Sequence, residues 1–139
     1  MGRLRAADLI LHAGDLVSVS FLEELAALGP PVEAVFGNMD EPALKESLPE
    51  ERIVDVERAR IAMVHIAGPV AGREERLLRR FPDCAAVVYG HTHVPHVERH
   101  EGVWILNPGS PTERRRAPTR AMLELQVARG TVLPKLVAL

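Results

Sequence analysis

Five side chains of this 139-residue sequence have the chemistry of a metal centre: Asp15, Asn38, His65, His91 and His93. Asp15 closes Ala13-Gly14-Asp15, Asn38 sits in Gly37-Asn38-Met39-Asp40, and His65 follows an apolar run. The last two flank Thr92 in Gly90-His91-Thr92-His93. Carboxylate, amide and imidazole ligands without a thiolate suit Mn, Fe or Zn rather than a structural zinc knuckle. A carboxylate has two oxygens, so Asp15 can bridge two cations about 3.5–4 Å apart. Asn38 adds a neutral carbonyl that keeps the site's positive charge high. Such a pair of cations polarises phosphoryl oxygens and brings the pKa of a bridging water to about 7, so that hydroxide attacks phosphorus in line with the leaving oxygen. Singly, each residue has a plainer explanation, since Asp15 and Asn38 are good turn formers and His65 could be a structural histidine. The order of all five favours a site, and two imidazoles two residues apart on a loop have little structural reason to exist.

These residues need elements to hold them. Asp8-Leu9-Ile10-Leu11-His12 reads as a buried strand ended by Ala13-Gly14. Ser18 or Ser20 can cap a helix on which Phe21, Leu22, Leu25 and Leu28 share one face, stopped by Gly29-Pro30. Val32 to Phe36 is a second strand, making a βαβ unit with parallel pairing. A short helix over 42–48, a hairpin over 52–65, a charged helix over 72–81 and a strand over 84–89 follow. Hairpins turning at Glu101-Gly102 and Arg129-Gly130 complete the chain. Strand and helix alternate at first and antiparallel strands dominate later, which predicts an α/β fold: a mixed β-sandwich flanked by helices. Asp15, Asn38, His65 and His91 all fall at carboxyl ends of strands, where ligands bind in open α/β sheets.

The length predicts a single domain over residues 1–139, long enough to bury roughly 70% of its unfolded surface. The 47% hydrophobic and 26% charged fractions are those of a soluble globular chain. A net charge of −2, one Trp, one Tyr and three Phe make no strong case for nucleic acid. No stretch approaches the roughly 20 apolar residues of a membrane span. Residues 1–5 lead into no apolar signal core, so a cytoplasmic location is expected. The single cysteine, Cys84, lies in an apolar run and is expected to be buried. His12 is expected to support the Ala13-Gly14 turn, His96 and His100 to be solvated, and Asn107-Pro108-Gly109-Ser110 to buttress the site floor through backbone groups.

With these motifs assembled, the chain resembles the calcineurin-like metallophosphoesterases, and more narrowly the small YfcE-type phosphodiesterases. The likeness runs over roughly residues 7 to 116, with Gly90-His91-Thr92-His93 and Asn107-Pro108-Gly109-Ser110 its most specific elements. It implies a sandwich of mixed sheets and two divalent ions, Mn first, with Fe, Zn or Ni as alternatives. Asp15 would bridge them, Asn38, His65 and His91 would complete one, and His93 would bind the other. Asn38 and Asp40 are the candidate catalytic residues and Arg114, in an arginine run, the candidate substrate contact. The expected reaction is hydrolysis of a small phosphodiester by a metal-activated hydroxide.

Three departures qualify the match. The family opens on a strand ending in Asp-x-His, and nothing upstream of Asp15 supplies one, so the chain is expected to be N-terminally truncated with its first strand missing. Met39 stands where many relatives carry a histidine acid, and a thioether cannot protonate a leaving alkoxide. Ile66 follows His65 where relatives often place a Gly-His pair. The rival expectation is a non-catalytic scaffold that binds protein partners, since the same fold serves as a retromer coat subunit. A homo-oligomer is left open.

Overall fold

The computed structural model describes residues 6–14, 19–37, 42–92, 94–109 and 121–138. Strand β1 (Ile10–His12), helix α1 (Val19–Ala26) and strand β2 (Val32–Ala34) form the expected βαβ unit. Its strands pair in parallel with Ile10 opposite Val32 and His12 opposite Ala34. Helix α2 (Pro42–Ser47) leads to an antiparallel pair, β3 (Glu51–Val56) and β4 (Ala59–Val64). Helix α3 (Arg73–Arg80), β5 (Ala86–Tyr89), β6 (His96–His100) and β7 (Val103–Asn107) follow. The hairpin β8 (Ala121–Ala128) and β9 (Thr131–Ala138) ends the described chain.

Five strands make the central sheet in the order β3-β4-β5-β7-β6. Its middle is parallel, β4 with β5 and β5 with β7, and both edges are antiparallel. Side chains alternate faces along a strand, so β4 and β5 build two cores at once. Ala62, Val64, Val87 and Tyr89 face α3 and pack with Leu77, Phe81, Cys84 and Ile105. Ile61, Met63, Ala86 and Val88 face the other way, against Val35, Leu106 and Val132, with Leu11 and Leu123 packed on them. Beyond β2, a third cluster of Leu25, Ala34 and Leu44 joins it to α1 and α2. The layers are therefore helix, central sheet, the smaller β1–β2 and β8–β9 sheets, and helices: a mixed sandwich flanked by helices, as the sequence predicts.

Helix α3 runs between Gly72, at φ 69°, and Phe81, whose amide closes on the Leu77 carbonyl at 3.0 Å. Glu74 and Glu75 in its first turn and Arg79 and Arg80 in its last complement the helix dipole. Cys84 is buried as expected, and that burial pushes its thiol pKa above the ordinary value.

Candidate metal centre

The described residues place His65 and His91 together. His65 follows β4 and is 3% exposed, while His91 begins the loop after β5. Their rings meet edge to face, with centroids 5.3 Å apart and planes at 82°. The Gly90 amide donates to the His65 carbonyl at 3.0 Å, continuing the β4–β5 ladder into the loop that carries His91. His91 itself sits at φ 71°, a left-handed conformation that costs energy in a residue with a Cβ and recurs at functional sites.

The chain end of β1 completes this corner. His65 Nδ1 lies 2.7 Å from the Ala13 carbonyl oxygen. A carbonyl only accepts, so Nδ1 carries a proton, which in the neutral imidazole leaves the lone pair on Nε2. That is the outer-shell arrangement by which metal-binding histidines are oriented. Two glycines make the approach possible. A Cβ on Gly14 would stand 2.6 Å from His65 Nδ1, and one on Gly90 would stand 2.8 Å from the Ala13 oxygen. His12 supports the same turn, its Nδ1 accepting from the Gly14 amide at 3.2 Å.

From below, Asn107 buttresses the histidine loop. It is 0% exposed, and its Nδ2 donates to the Gly90 carbonyl at 3.3 Å and to Thr92 Oγ1 at 3.0 Å. Its Oδ1 accepts from the Gly109 amide at 2.9 Å. This corrects the expectation of a buttress through backbone groups: the support runs mainly through the Asn107 side chain.

Two cavities of about 230 Å³ each flank the pair. One is lined by Ile66, Gly68, Arg73, Tyr89, His91 and Thr92 among others. The second is lined by Phe36, Lys45, Glu50, Val64, His65 and Ile66. Arg73 was legible in the sequence only as part of a charged helix face. Its Nη2 donates to the Gly68 carbonyl at 2.9 Å and its Nη1 to the Tyr89 hydroxyl at 3.3 Å. Its Nε is buried with no hydrogen-bond partner among the described residues. Tyr89 titrates above its ordinary value because burial disfavours the phenolate, with Arg73 pulling the other way. His96 corrects the expectation of a solvated histidine: its Nδ1 lies 2.7 Å from the Tyr89 hydroxyl. Asp15, Asn38, Met39, Asp40, His93 and Arg114 lie outside the described residues.

A family model described as the calcineurin-like phosphoesterase superfamily domain matches residues 1–130. The chain belongs to that superfamily. It is 40% identical over 112 residues to a probable metallophosphoesterase of Methanothermobacter thermautotrophicus, covering 78% of this chain and 63% of that protein. The chain thus spans less than two thirds of that relative. The solution structure of a Thermotoga maritima protein matches with a TM-score of 0.75 and 32% identity, over 99% of this chain and 84% of the other. Vps29 of Entamoeba histolytica, solved with Zn²⁺, matches the fold with a TM-score of 0.77 at 22% identity, over 99% and 86% of the two chains. The superfamily's divalent metals suit the corner described here: an Nδ1-anchored His65, a neighbouring His91 and two glycines that clear the approach.

Proposed function

We propose that this chain is a divalent-metal-dependent phosphodiesterase of the YfcE type, folded as one domain, that acts in the cytoplasm on a small phosphodiester with Mn²⁺ as its working metal. The observation that carries this reading is the His65–His91 pair, with His65 held by the Ala13 carbonyl. Asp15, Asn38, His65 and His91 would hold one ion and Asp15 and His93 a second, and the bound ions would polarise the phosphoryl group and make water nucleophilic at neutral pH.

The protein's own part is positioning. The Ala13 carbonyl keeps the proton on His65 Nδ1, and Asn107 keeps the His91 loop at a fixed height above β5 and β7. Arg73, in the wall of the cavity beside His91, and Arg114 supply positive charge for the nonbridging phosphate oxygens. Asn38 and Asp40 are the catalytic candidates from the loop after Gly37. Met39 offers no proton to a leaving oxygen, so esters with good leaving groups such as phenolates should react fastest. The test is hydrolysis of bis(p-nitrophenyl) phosphate with Mn²⁺, run on this chain and on one extended through the upstream reading frame. Cleavage that Asp15→Ala abolishes supports the proposal.

The likeness to Vps29 favours one alternative, a scaffold of the same fold that binds protein partners. Metal binding without diester cleavage in either form would favour that alternative.

A further inference from the structure

We propose a second divalent-cation site, one that takes Zn²⁺, built from Glu74, His96 and Glu98 on the α3 side of the central sheet. One ligand atom from each of the three lies within 4.8 Å of the others. His96 Nε2 and Glu98 Oε2 are 3.7 Å apart. With Zn–N and Zn–O bonds of about 2.1 Å, a tetrahedral edge is about 3.4 Å, so that pair already stands close to ligand spacing.

The fold explains why they converge. His96 and Glu98 are two apart on β6 and share a face, opposite Asn107 and Ile105 of β7. Ile105 belongs to the core that α3 covers, so this face looks toward the helix whose first turn carries Glu74. β6 is a sheet edge and Glu98 is half exposed, which leaves an entry path for an ion.

An observation outside the cluster points to a ligand rather than a solvated charge group. The Tyr89 hydroxyl lies 2.7 Å from His96 Nδ1 and is itself held by Arg73, which also stacks 5.0 Å from its ring centroid. That contact commits Nδ1 inward and turns Nε2 toward the carboxylates. With a cation bound, Nδ1–H donates to the Tyr89 oxygen and the Nε2 lone pair faces the ion, the arrangement of histidine ligands with an outer-shell partner. One imidazole and two carboxylates, with water completing the set, suit Zn²⁺ and relieve the repulsion between Glu74 and Glu98.

The site is separate from the His65–His91 corner, and none of its residues belongs to the metal motifs. It is coupled to that corner through Arg73 and Tyr89, which line the cavity beside His91. An ion here would clip the first turn of α3 to the edge strand that follows the histidine loop. This is a structural role with no part in the chemistry.

Equilibrium dialysis against Zn²⁺, with bound metal counted by plasma emission, tests the proposal on the full chain. The native protein should retain one more equivalent of Zn²⁺ than Glu74→Gln/Glu98→Gln, whose fold is checked by circular dichroism. Tyr89→Phe should weaken that equivalent about 10-fold. The double variant should keep its Mn²⁺-dependent diester hydrolysis within about twofold of the native rate. Equal Zn²⁺ content in the native and doubly substituted proteins would overturn the site, and joint loss of the equivalent and of hydrolysis would overturn its separateness.

Discussion

Asn107, at the end of β7, donates to Thr92 Oγ1 at 3.0 Å and so ties the histidine loop to a different strand from the one that leads into it. Thr92 passes the support on, its Oγ1 accepting from the Val94 amide at 3.2 Å. One fully buried amide thereby holds Gly90 and Thr92, on either side of His91, and through Thr92 the Val94 amide. Asn107→Asp keeps the size but removes both donors, and it buries a charge beside the Gly90 carbonyl. It should lower unfolding stability by about 2–3 kcal/mol and cut diester hydrolysis, measured by urea denaturation and initial rates. Unchanged stability would show that the amide is not holding the loop.

The two glycines at the corner predict a sharper effect. Gly14 has φ 102° and no room for a Cβ against His65, so Gly14→Ala brings both strain and a clash. A loss of about 2 kcal/mol or more is expected, with weakened Mn²⁺ binding by calorimetry. Gly29, at φ 115° with nothing within 4 Å of an added Cβ, is the control. Gly29→Ala should carry backbone strain alone and leave metal binding intact.

Arg76 predicts a loop effect. Its Nη2 donates to the carbonyls of Ala67 at 2.9 Å and Pro69 at 2.7 Å, and its Nη1 to Ala71 at 3.3 Å. This fork closes the turn that follows His65, whose Ile66, Ala67 and Gly68 line the cavity beside His91. A lysine ammonium cannot span three carbonyls, so Arg76→Lys should destabilise by about 1 kcal/mol and raise KM more than it lowers kcat. Denaturant midpoints and a Michaelis series check it.

Tyr89 sets an alkaline limit. Its folded-state pKa lies above the ordinary 10.0 because burial penalises the phenolate. A raised folded value contributes stability that is fully present below the unfolded pKa and is lost as pH rises through the folded one. The urea midpoint should therefore fall above about pH 10, and Tyr89→Phe should flatten that decline. The same fall in the variant would mean that another group titrates there.

Much of this molecule is readable from local pattern. The apolar run into Tyr89, the charged helix over 72–81 and the turns at Glu101-Gly102 and Arg129-Gly130 all match elements or the breaks between them, within a residue at the helix ends. The superfamily is legible for the same reason, since His65, His91 and Asn107 sit at the ends of β4, β5 and β7. What local pattern does not carry is pairing across the sheet. Tyr89 and His96 are seven residues apart, yet their contact depends on the order β5-β7-β6, in which β7 lies between their two strands. Arg73 and Arg76 read only as part of the charged helix over 72–81, because their acceptors are backbone carbonyls and a phenol, which leave no charge pattern. The separation of the strands into a five-stranded sheet and two small ones likewise follows from tertiary packing around Ile61, Met63 and Val88.

The central claim is best tested by Mn²⁺-dependent hydrolysis of bis(p-nitrophenyl) phosphate, comparing the native chain and its upstream-extended form with His91→Asn of each. Cleavage in a native form should rise with Mn²⁺ and fall by at least about 100-fold in its His91→Asn variant, with the fold intact by circular dichroism. Metal-independent cleavage, or a rate that His91→Asn leaves unchanged, would contradict it.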